Sequence, residues 1–236
     1  ERRLARSLGE LDMAAPEGDL LAIHRELVAR NEITEGLVYL QVTRGVADRD
    51  FAYPKDTPST LVMFTQAKGL IDSPAAQTGI KVIAIDDLRW GRRDIKTVQL
   101  LYPSMGKMMA KAAGVDDAWM VEDGLVTEGT SNNAYIVKGG KIITRQLGND
   151  ILAGITRAAI LKMAQEAQMV VEERAFSIAE AQAADEAFFT SASAFVMPVV
   201  EVDGATVGNG KPGPVTRRLR EIYIDESRNV GSEPRQ

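Results

Sequence analysis

The segment from Arg92 to Asn133, RRDIKTVQLLYPSMGKMMAKAAGVDDAWMVEDGLVTEGTSNN, constrains this chain more than any other part of the sequence. One of its lysines, Lys96, lies among apolar residues that are typical of a strand or a turn, whereas the other two, Lys107 and Lys111, fall in a predicted helix. Because desolvation lowers the pKa of a lysine and frees its amine, a lysine in such surroundings suits Schiff-base chemistry. The alternative interpretation is a surface lysine whose stem covers apolar neighbours.

The same segment ends with a carboxylate, Glu128, among small and polar residues (TEGTSNN). This composition predicts a turn. A carboxylate on such a turn suits a group that faces a cofactor ring, and an exposed turn glutamate is the alternative interpretation. Lys96 and Glu128 are therefore the first candidates for functional residues.

Composition excludes several other classes of protein. The formal net charge of 28 − 33 = −5 argues against a dedicated nucleic-acid surface. No apolar run approaches the roughly 20 residues that span a bilayer. The sequence has no cysteine and a single histidine, His24, which leaves little for a thiolate zinc site, a histidine triad or a multi-histidine metal site. We expect a soluble cytoplasmic enzyme without a metal, a membrane partner or a nucleic-acid partner.

Helical periodicity and short apolar runs alternate along the chain, which predicts an α+β protein of two domains. We expect a small α/β domain over residues 1–67, a linker over 68–78 and a large domain over 79–236. The predicted helices cover 19–31, 103–113, 155–168 and 214–224. The predicted strands cover 36–43, 61–66, 80–85, 118–121, 134–137, 141–144, 188–190 and 199–202. Ser177 and Glu180 form a capping-box pattern, and the polar residues 227–236 are expected to fray.

Four strings, taken in this order, resemble a known enzyme family: RWGRRDIKTVQLL (89–101), VTEGTSNNAYIV (126–137), NDILAGITRAAIL (149–161) and FFTSASAFVMPVVEVDG (188–204). The chain resembles the fold-type IV enzymes that depend on pyridoxal 5'-phosphate, and within them most closely the D-amino-acid (D-alanine) aminotransferases. The resemblance runs through nearly the whole chain. It implies the two-domain fold of that family, a homodimer, and transamination between a D-amino acid and a 2-oxo acid such as 2-oxoglutarate.

The resemblance also implies roles for the two candidates. Lys96 would form the internal aldimine of a ping-pong cycle and shuttle a proton between the substrate Cα and the cofactor. Glu128, which follows 32 residues later (128 − 96), would keep the pyridine nitrogen protonated and so strengthen the electron sink.

Other residues are expected around the cofactor by the same resemblance. A helix N-terminus with free amides would bind the phosphate, and a strand end would add a hydroxyl and an amide. Arg3 would neutralise the phosphate, and Leu152 would pack on the ring. The residues expected at the phosphate turns are Gly154, Ile155, Thr156, Ser191 and Ala192.

Substrate binding is expected at Arg49, in the string QVTRGVADRDFAYP. Its guanidinium would hold the α-carboxylate of the substrate through paired hydrogen bonds. The family often has a histidine two residues later, where this chain has Phe51, so the carboxylate site is altered. The alternative interpretation is a surface ion pair of Arg49 with Asp48 or Asp50.

The start of the chain and the exact reaction leave alternatives open. The sequence begins with Glu1, and Leu4, Leu8 and Leu11 recur at helical spacing. In the family such a helix follows several strands, so we expect an N-terminally incomplete small domain, or else a short homologue. Branched-chain L-amino-acid aminotransferases, (R)-amine transaminases and aminodeoxychorismate lyases share the cofactor site. A non-catalytic module that binds pyridoxal phosphate is a further alternative.

Overall fold

The computed structural model of the chain describes residues 1–229, which divide into two compact units. The first unit contains Glu1–Leu70 together with Ile95–Thr97, and the second contains Ile71–Asp94 and the chain from Val98 onward. Helices and sheets occur in both units, in agreement with the predicted α+β class. The fraying predicted for 227–236 is wrong for 227–229, which continue the last helix, and residues 230–236 lie outside the described part of the chain.

The first unit combines two helices with a hairpin of two antiparallel strands. Asp19 begins the second helix because its carboxylate accepts hydrogen bonds from the amides of Leu21 and Ala22, at 2.9 and 3.1 Å. The strands pair from Gly36 opposite Ala67 to Thr43 opposite Thr60. These elements, as the sequence predicts them, are α1 (Arg2–Glu10), α2 (Leu20–Arg30), β1 (Gly36–Thr43) and β2 (Thr60–Ala67).

The second unit contains five helices and nine strands among the described residues. Its helices are α3 (Pro74–Thr78), α4 (Leu101–Ala112), α5 (Ile155–Glu166), α6 (Ile178–Gln182) and α7 (Pro214–Asn229). Its strands are β3 (Ile80–Asp86), β4 (Asp117–Glu122), β5 (Leu125–Gly129), β6 (Asn133–Lys138), β7 (Lys141–Thr144), β8 (Val170–Glu173), β9 (Glu186–Ser191), β10 (Phe195–Val202) and β11 (Ala205–Thr206). Helix α3 lies within the span 68–78, which the sequence predicts as a linker.

All nine strands form one sheet in the order β5-β4-β3-β10-β9-β6-β7-β8, with β11 paired to β10. Strand β3 runs parallel to β4 and β10, β7 runs parallel to β8, and the remaining pairs are antiparallel. The sheet curls so that its two edges approach each other: the amide of Val126 on β5 donates to the carbonyl of Phe176, which follows the opposite edge strand β8. The hydrogen bond measures 2.9 Å and covers part of an edge that would otherwise be open.

Two clusters of buried apolar residues hold this unit together. One includes Trp119 and Phe176, whose rings meet edge to face at 6.0 Å, together with Val199 of β10. The other lies against α5 and α7, where Tyr135 and Phe188 stack at 4.5 Å. Burial of such large side chains contributes the main driving force for folding.

Helix termini in this unit are fixed by specific side chains. The predicted capping box at α6 is confirmed, since Ser177 and Glu180 each bond the backbone amide of the other. Glu186 of β9 accepts from the amides of Val215 and Thr216 at the start of α7, at 2.9 and 2.8 Å. Within the described residues, no helix is long and apolar enough to cross a membrane.

Candidate active site

Glu128 is a buried carboxylate at the centre of a set of hydrogen-bond donors. Its side chain lies on β5 and the residue is 5% exposed. One oxygen accepts from Nη1 of Arg89 at 2.6 Å. The other accepts from Nδ2 of Asn133 at 3.0 Å and from the amide of Leu152 at 3.1 Å. Because every one of these partners donates, the site is built for the ionised form of the carboxyl group.

The turn predicted at Glu128 is wrong, because strand pairing continues through this residue. Gly129 is the partner of Trp119 on β4, so β5 extends one residue past Glu128. Burial raises the pKa of the Glu128 carboxyl group, and the positive charge and hydrogen bond of Arg89 oppose that rise. The ionisation of Glu128 therefore depends on Arg89.

Arg89 is held from its other side by Asp87. The guanidinium donates through Nε to Oδ1 of Asp87 at 2.9 Å and through Nη2 to Oδ2 at 2.7 Å. Thr127 donates its hydroxyl to the same aspartate at 2.6 Å. Sequence reasoning did not single out these residues, although the string DDLRW just before the lysine segment places two acids beside an arginine.

Asn133 links the carboxylate to the start of α5. It opens β6, and its Nδ2 also donates to the carbonyl of Leu152 at 2.9 Å. A Cβ at Gly154 would lie 2.2 Å from Oδ1 of Asn133, so only glycine fits there while that amide keeps its bonds. Asn133 is a further residue that the sequence pattern does not single out, because it lies within a string of small polar residues.

The first turn of α5 has the properties of an anion site. Gly154 is the N-cap and no side chain caps this end of the helix among the described residues, so the first amides remain available. Thr156 is 2% exposed, and its hydroxyl has no hydrogen-bond partner within residues 1–229. Ile155 between them is 56% exposed. A buried hydroxyl without a partner beside free amides is suited to a ligand with several acceptor oxygens.

Ser191 and Ala192 lie at the same end of the sheet. Thr190 is the register partner of Asn133, so Ser191 follows directly beside the start of β6. Ser191 accepts a hydrogen bond from the amide of Ala194 at 3.1 Å, which closes the loop between β9 and β10. Ala192 is exposed in that loop.

The remaining expected site residues belong to the first unit. The amide of Lys96 donates to the hydroxyl of Ser7 on α1 at 3.3 Å, and no strand includes Lys96. Arg3 lies one turn before Ser7 and therefore on the same face of α1. Burial lowers the pKa of Arg3.

Arg49 is exposed in the loop between β1 and β2. It forms no ion pair with Asp48 or Asp50 within the described chain, and its guanidinium lies 5.5 Å from the ring centroid of Phe51. The alternative interpretation of Arg49 as half of a surface ion pair is therefore wrong.

The expected residues thus fall into two groups. In the second unit, Asn133 contacts Glu128 and Leu152 and lies against Gly154. Ile155 and Thr156 follow Gly154 in the first turn of α5, and Ser191 and Ala192 follow Thr190, the register partner of Asn133. The first unit contains Arg3, Arg49 and Lys96.

Comparison with known proteins assigns the chain to a family. The family described as Amino-transferase class IV matches residues 1–202. The chain belongs to the class IV aminotransferases. The predicted family and the predicted α+β fold are thereby confirmed.

Individual class IV aminotransferases resemble the chain over most of its length. A D-alanine aminotransferase from Bacillus licheniformis is 40% identical over 222 residues, which is 92% of this chain and 77% of that protein. One from Staphylococcus aureus (strain MSSA476) is 37% identical over 226 residues, 94% of this chain and 79% of that protein. A branched-chain amino acid aminotransferase from Thermobaculum terrenum, solved in its PLP-form, superposes with a TM-score of 0.83 at 25% identity and covers 95% of this chain and 76% of that one.

Proposed function

We propose that this class IV aminotransferase uses pyridoxal 5'-phosphate to transfer an amino group from a D-amino acid, such as D-alanine, to a 2-oxo acid, such as 2-oxoglutarate. The buried carboxylate of Glu128, surrounded by donors, is the observation that carries the proposal. The relatives named D-alanine aminotransferase, at 37–40% identity over more than nine-tenths of the chain, support the substrate class.

The residues of the second unit fit this cofactor. Its phosphate matches the first turn of α5, which no side chain of residues 1–229 caps, and the hydroxyl of Thr156, which has no partner among those residues. Its ring nitrogen matches Glu128, a carboxylate that can accept a hydrogen bond from one further donor. Leu152 would lie against the ring, and Ser191 with the amide of Ala192 would add phosphate contacts. When bound, pyridoxal phosphate supplies an electron sink that stabilises the carbanion left when the substrate loses its α-proton.

Four side chains would then act on the cofactor and the substrate. Lys96 would attach the cofactor through Nζ, and once the amino group of the substrate has displaced it, the freed amine would take the α-proton and deliver it to the C4′ carbon. Glu128 would hold the proton on the ring nitrogen. Arg49 would bind the substrate carboxylate, and Arg3 would balance the charge of the phosphate.

A second candidate function is transamination of branched-chain L-amino acids. Its support is the structural likeness to the branched-chain enzyme at 25% identity, which is weaker than the 40% identity to a D-alanine enzyme. The two candidates differ in the hand of the amino donor, and this difference can be measured directly.

The test of substrate class compares D-alanine, L-leucine and (R)-1-phenylethylamine as donors in single-turnover reactions of the purified protein. We expect D-alanine to convert the cofactor fastest, with 2-oxoglutarate restoring it. Preference for L-leucine would replace the proposal with the second candidate, and preference for the amine would remove the need for a carboxylate site.

The test of Lys96 uses covalent labelling in place of turnover. Borohydride reduction of the protein with its cofactor should fix the cofactor mass on the peptide that contains Lys96. Lys96→Ala should lose this label, whereas Lys111→Ala on the exposed side of α4 should retain it. A label on any other peptide of wild type would contradict the assignment. Lys107 is a poor control because it pairs with the buried Asp117 at 2.9 Å.

Homodimer formation is part of the same proposal and has support in helix α4. Its residues Leu101, Met105, Met108 and Met109 recur at helical spacing and are 79, 46, 62 and 43% exposed. Such an apolar row is typical of an interaction surface. Light scattering should give the mass of a dimer, and Met108→Glu should lower it. The cytoplasmic location also remains a prediction, which cell fractionation would check.

A further inference from the structure

Five charged side chains form a row of alternating sign that ends at Glu128. The row begins with Glu122, which accepts from Arg93 at 2.7 and 2.8 Å. Arg93 lies 3.7 Å from Asp87. Asp87 then binds Arg89 through both oxygens, and Arg89 binds Glu128. All five residues belong to the second unit.

Asp87 occupies the middle of this row and is completely shielded from solvent. Its side chain is 0% exposed, and that of Arg89 is 13% exposed. Burial by itself would raise the pKa of Asp87, but hydrogen bonds from Arg89 and Thr127 outweigh that effect and lower the pKa. A buried charge is tolerated only with such partners, so Asp87 remains ionised and can serve as a fixed anchor.

The anchor determines where the guanidinium of Arg89 can lie. Two of its nitrogens bind the two oxygens of Asp87, and this fork geometry fixes the plane of the group. The third nitrogen, Nη1, then lies 2.6 Å from Glu128. Without Asp87, Arg89 could rotate away from Glu128 toward solvent, since its side chain has many rotamers.

We propose that Asp87 is a positioning residue of the reaction, which acts through Arg89 to keep Glu128 charged and so keeps the cofactor ring nitrogen protonated. The inference rests on the proposed role of Glu128. It extends that role to a residue that touches neither substrate nor cofactor.

The negative charge of Asp87 also acts directly on Glu128, and that effect has the opposite sign. The charge of Asp87 by itself raises the pKa of Glu128, but this influence is smaller than that of Arg89. Neutralising Asp87 would therefore favour charged Glu128 if Arg89 stayed in place. If Asp87 is the anchor, neutralising it disfavours charged Glu128 because Arg89 is released. The sign of the change separates positioning from simple electrostatics.

The experiment measures the ¹⁵N chemical shift of the ring nitrogen in full-length protein reconstituted with ¹⁵N-labelled pyridoxal phosphate. This shift reports protonation of the ring nitrogen without any turnover. In Asp87→Asn we expect the ratio of protonated to unprotonated nitrogen to fall roughly tenfold. The rate of α-proton loss should fall with it, while the Kd of the cofactor changes little.

A second variant keeps the result interpretable if Asp87→Asn does not fold. Arg89→Lys retains a positive charge but lacks the fork, so one amine cannot bind both oxygens of Asp87 and also Glu128. We expect the same direction of shift in Arg89→Lys. The ring nitrogen should be no less protonated in the double variant Asp87→Asn/Arg89→Lys than in either single variant, because both changes interrupt the same contact between Asp87, Arg89 and Glu128.

Asp117→Asn is the matched control. Asp117 is also a buried aspartate that accepts a threonine hydroxyl and pairs with a cation, Lys107, but it belongs to a separate set of contacts that includes neither Glu128 nor Arg89 within residues 1–229. It should lose stability as Asp87→Asn does and leave the ¹⁵N shift at the wild-type value.

The outcomes separate this inference from the proposed function. A wild-type ring nitrogen that is unprotonated, or unchanged by Glu128→Gln, would overturn the role of Glu128 itself. In another outcome, the wild-type ring nitrogen is protonated and its shift changes in Glu128→Gln, but Asp87→Asn and Arg89→Lys both keep the wild-type shift. This result would overturn only the positioning role of Asp87. A more strongly protonated nitrogen in Asp87→Asn would leave the direct electrostatic effect as the only one, and would also overturn the positioning role.

Discussion

Thr156→Val should stabilise the cofactor-free protein and weaken the binding of the cofactor. The hydroxyl of Thr156 is buried in the first turn of α5 without a partner in the described chain. Valine has nearly the same shape and needs no hydrogen bond. Because an unsatisfied buried polar group costs about 1–3 kcal/mol, we expect the cofactor-free variant to be more stable than wild type by up to that amount.

The complex should instead lose a hydrogen bond to the phosphate. A hydrogen bond to a charged group contributes about 1.5–3 kcal/mol, so the Kd of pyridoxal phosphate should rise roughly 10- to 150-fold in Thr156→Val. The two assays are urea denaturation of the cofactor-free protein and a fluorescence titration with pyridoxal phosphate.

Thr216→Val is the matched control for this experiment. Thr216 is also a buried threonine in the first turn of a helix, α7, but its hydroxyl donates to Glu186 at 2.7 Å. We expect the control to lose about 1.5–3 kcal/mol of stability and to keep the wild-type Kd for the cofactor. If Thr156→Val destabilised the cofactor-free protein and left the Kd unchanged, Thr156 would be an ordinary core residue and α5 would not bind the phosphate.

Three further predictions concern other positions. Gly154→Ala should weaken cofactor binding by about tenfold or more in the same titration, because its Cβ would displace the amide of Asn133; an unchanged Kd would show that this contact is not needed. Glu122→Gln should reduce the loss of folding stability at acid pH. The hydrogen bond from Arg93 lowers the pKa of Glu122, so the stabilisation by the Glu122 carboxylate is complete above its ordinary pKa of 4.5 and is lost as the pH falls through the lower pKa of the folded state. An acid-induced loss of stability equal to that of wild type would contradict this. Arg49→Ala should reduce kcat/KM for D-alanine roughly 10- to 150-fold and affect (R)-1-phenylethylamine less, whereas equal losses on both donors would argue against a carboxylate contact.

The order of the elements and the family could be predicted from sequence because they depend on local pattern. Short apolar runs predicted β1 and β6, and the capping box at Ser177 is formed as the sequence predicts. Four strings spread along the chain were enough to predict the class IV aminotransferase family. These signals lie within stretches of neighbouring residues, so they do not require knowledge of the fold.

The sequence was less informative where distant strands decide the local structure. Glu128 lies among residues that favour a turn, but pairing of β5 with β4 makes it part of a strand and buries it. Strand β8 has little pattern of its own, and it forms because Lys141–Thr144 offers a parallel partner. A weak local preference yields to such pairing, because burial and cross-strand hydrogen bonds involve more free energy than turn propensity.

The surroundings of the candidate site depend on tertiary structure to the greatest degree. Sequence alone supplied Glu128, Lys96 and the phosphate turns, largely through resemblance. It offered no reason to connect Asp87 and Arg89 with a residue about forty positions later, nor to place Asn133 between Glu128 and Gly154. Those contacts arise because the curled sheet brings the ends of β3, β5 and β6 together, and contacts of that kind are set by strand order and register, which no local pattern encodes.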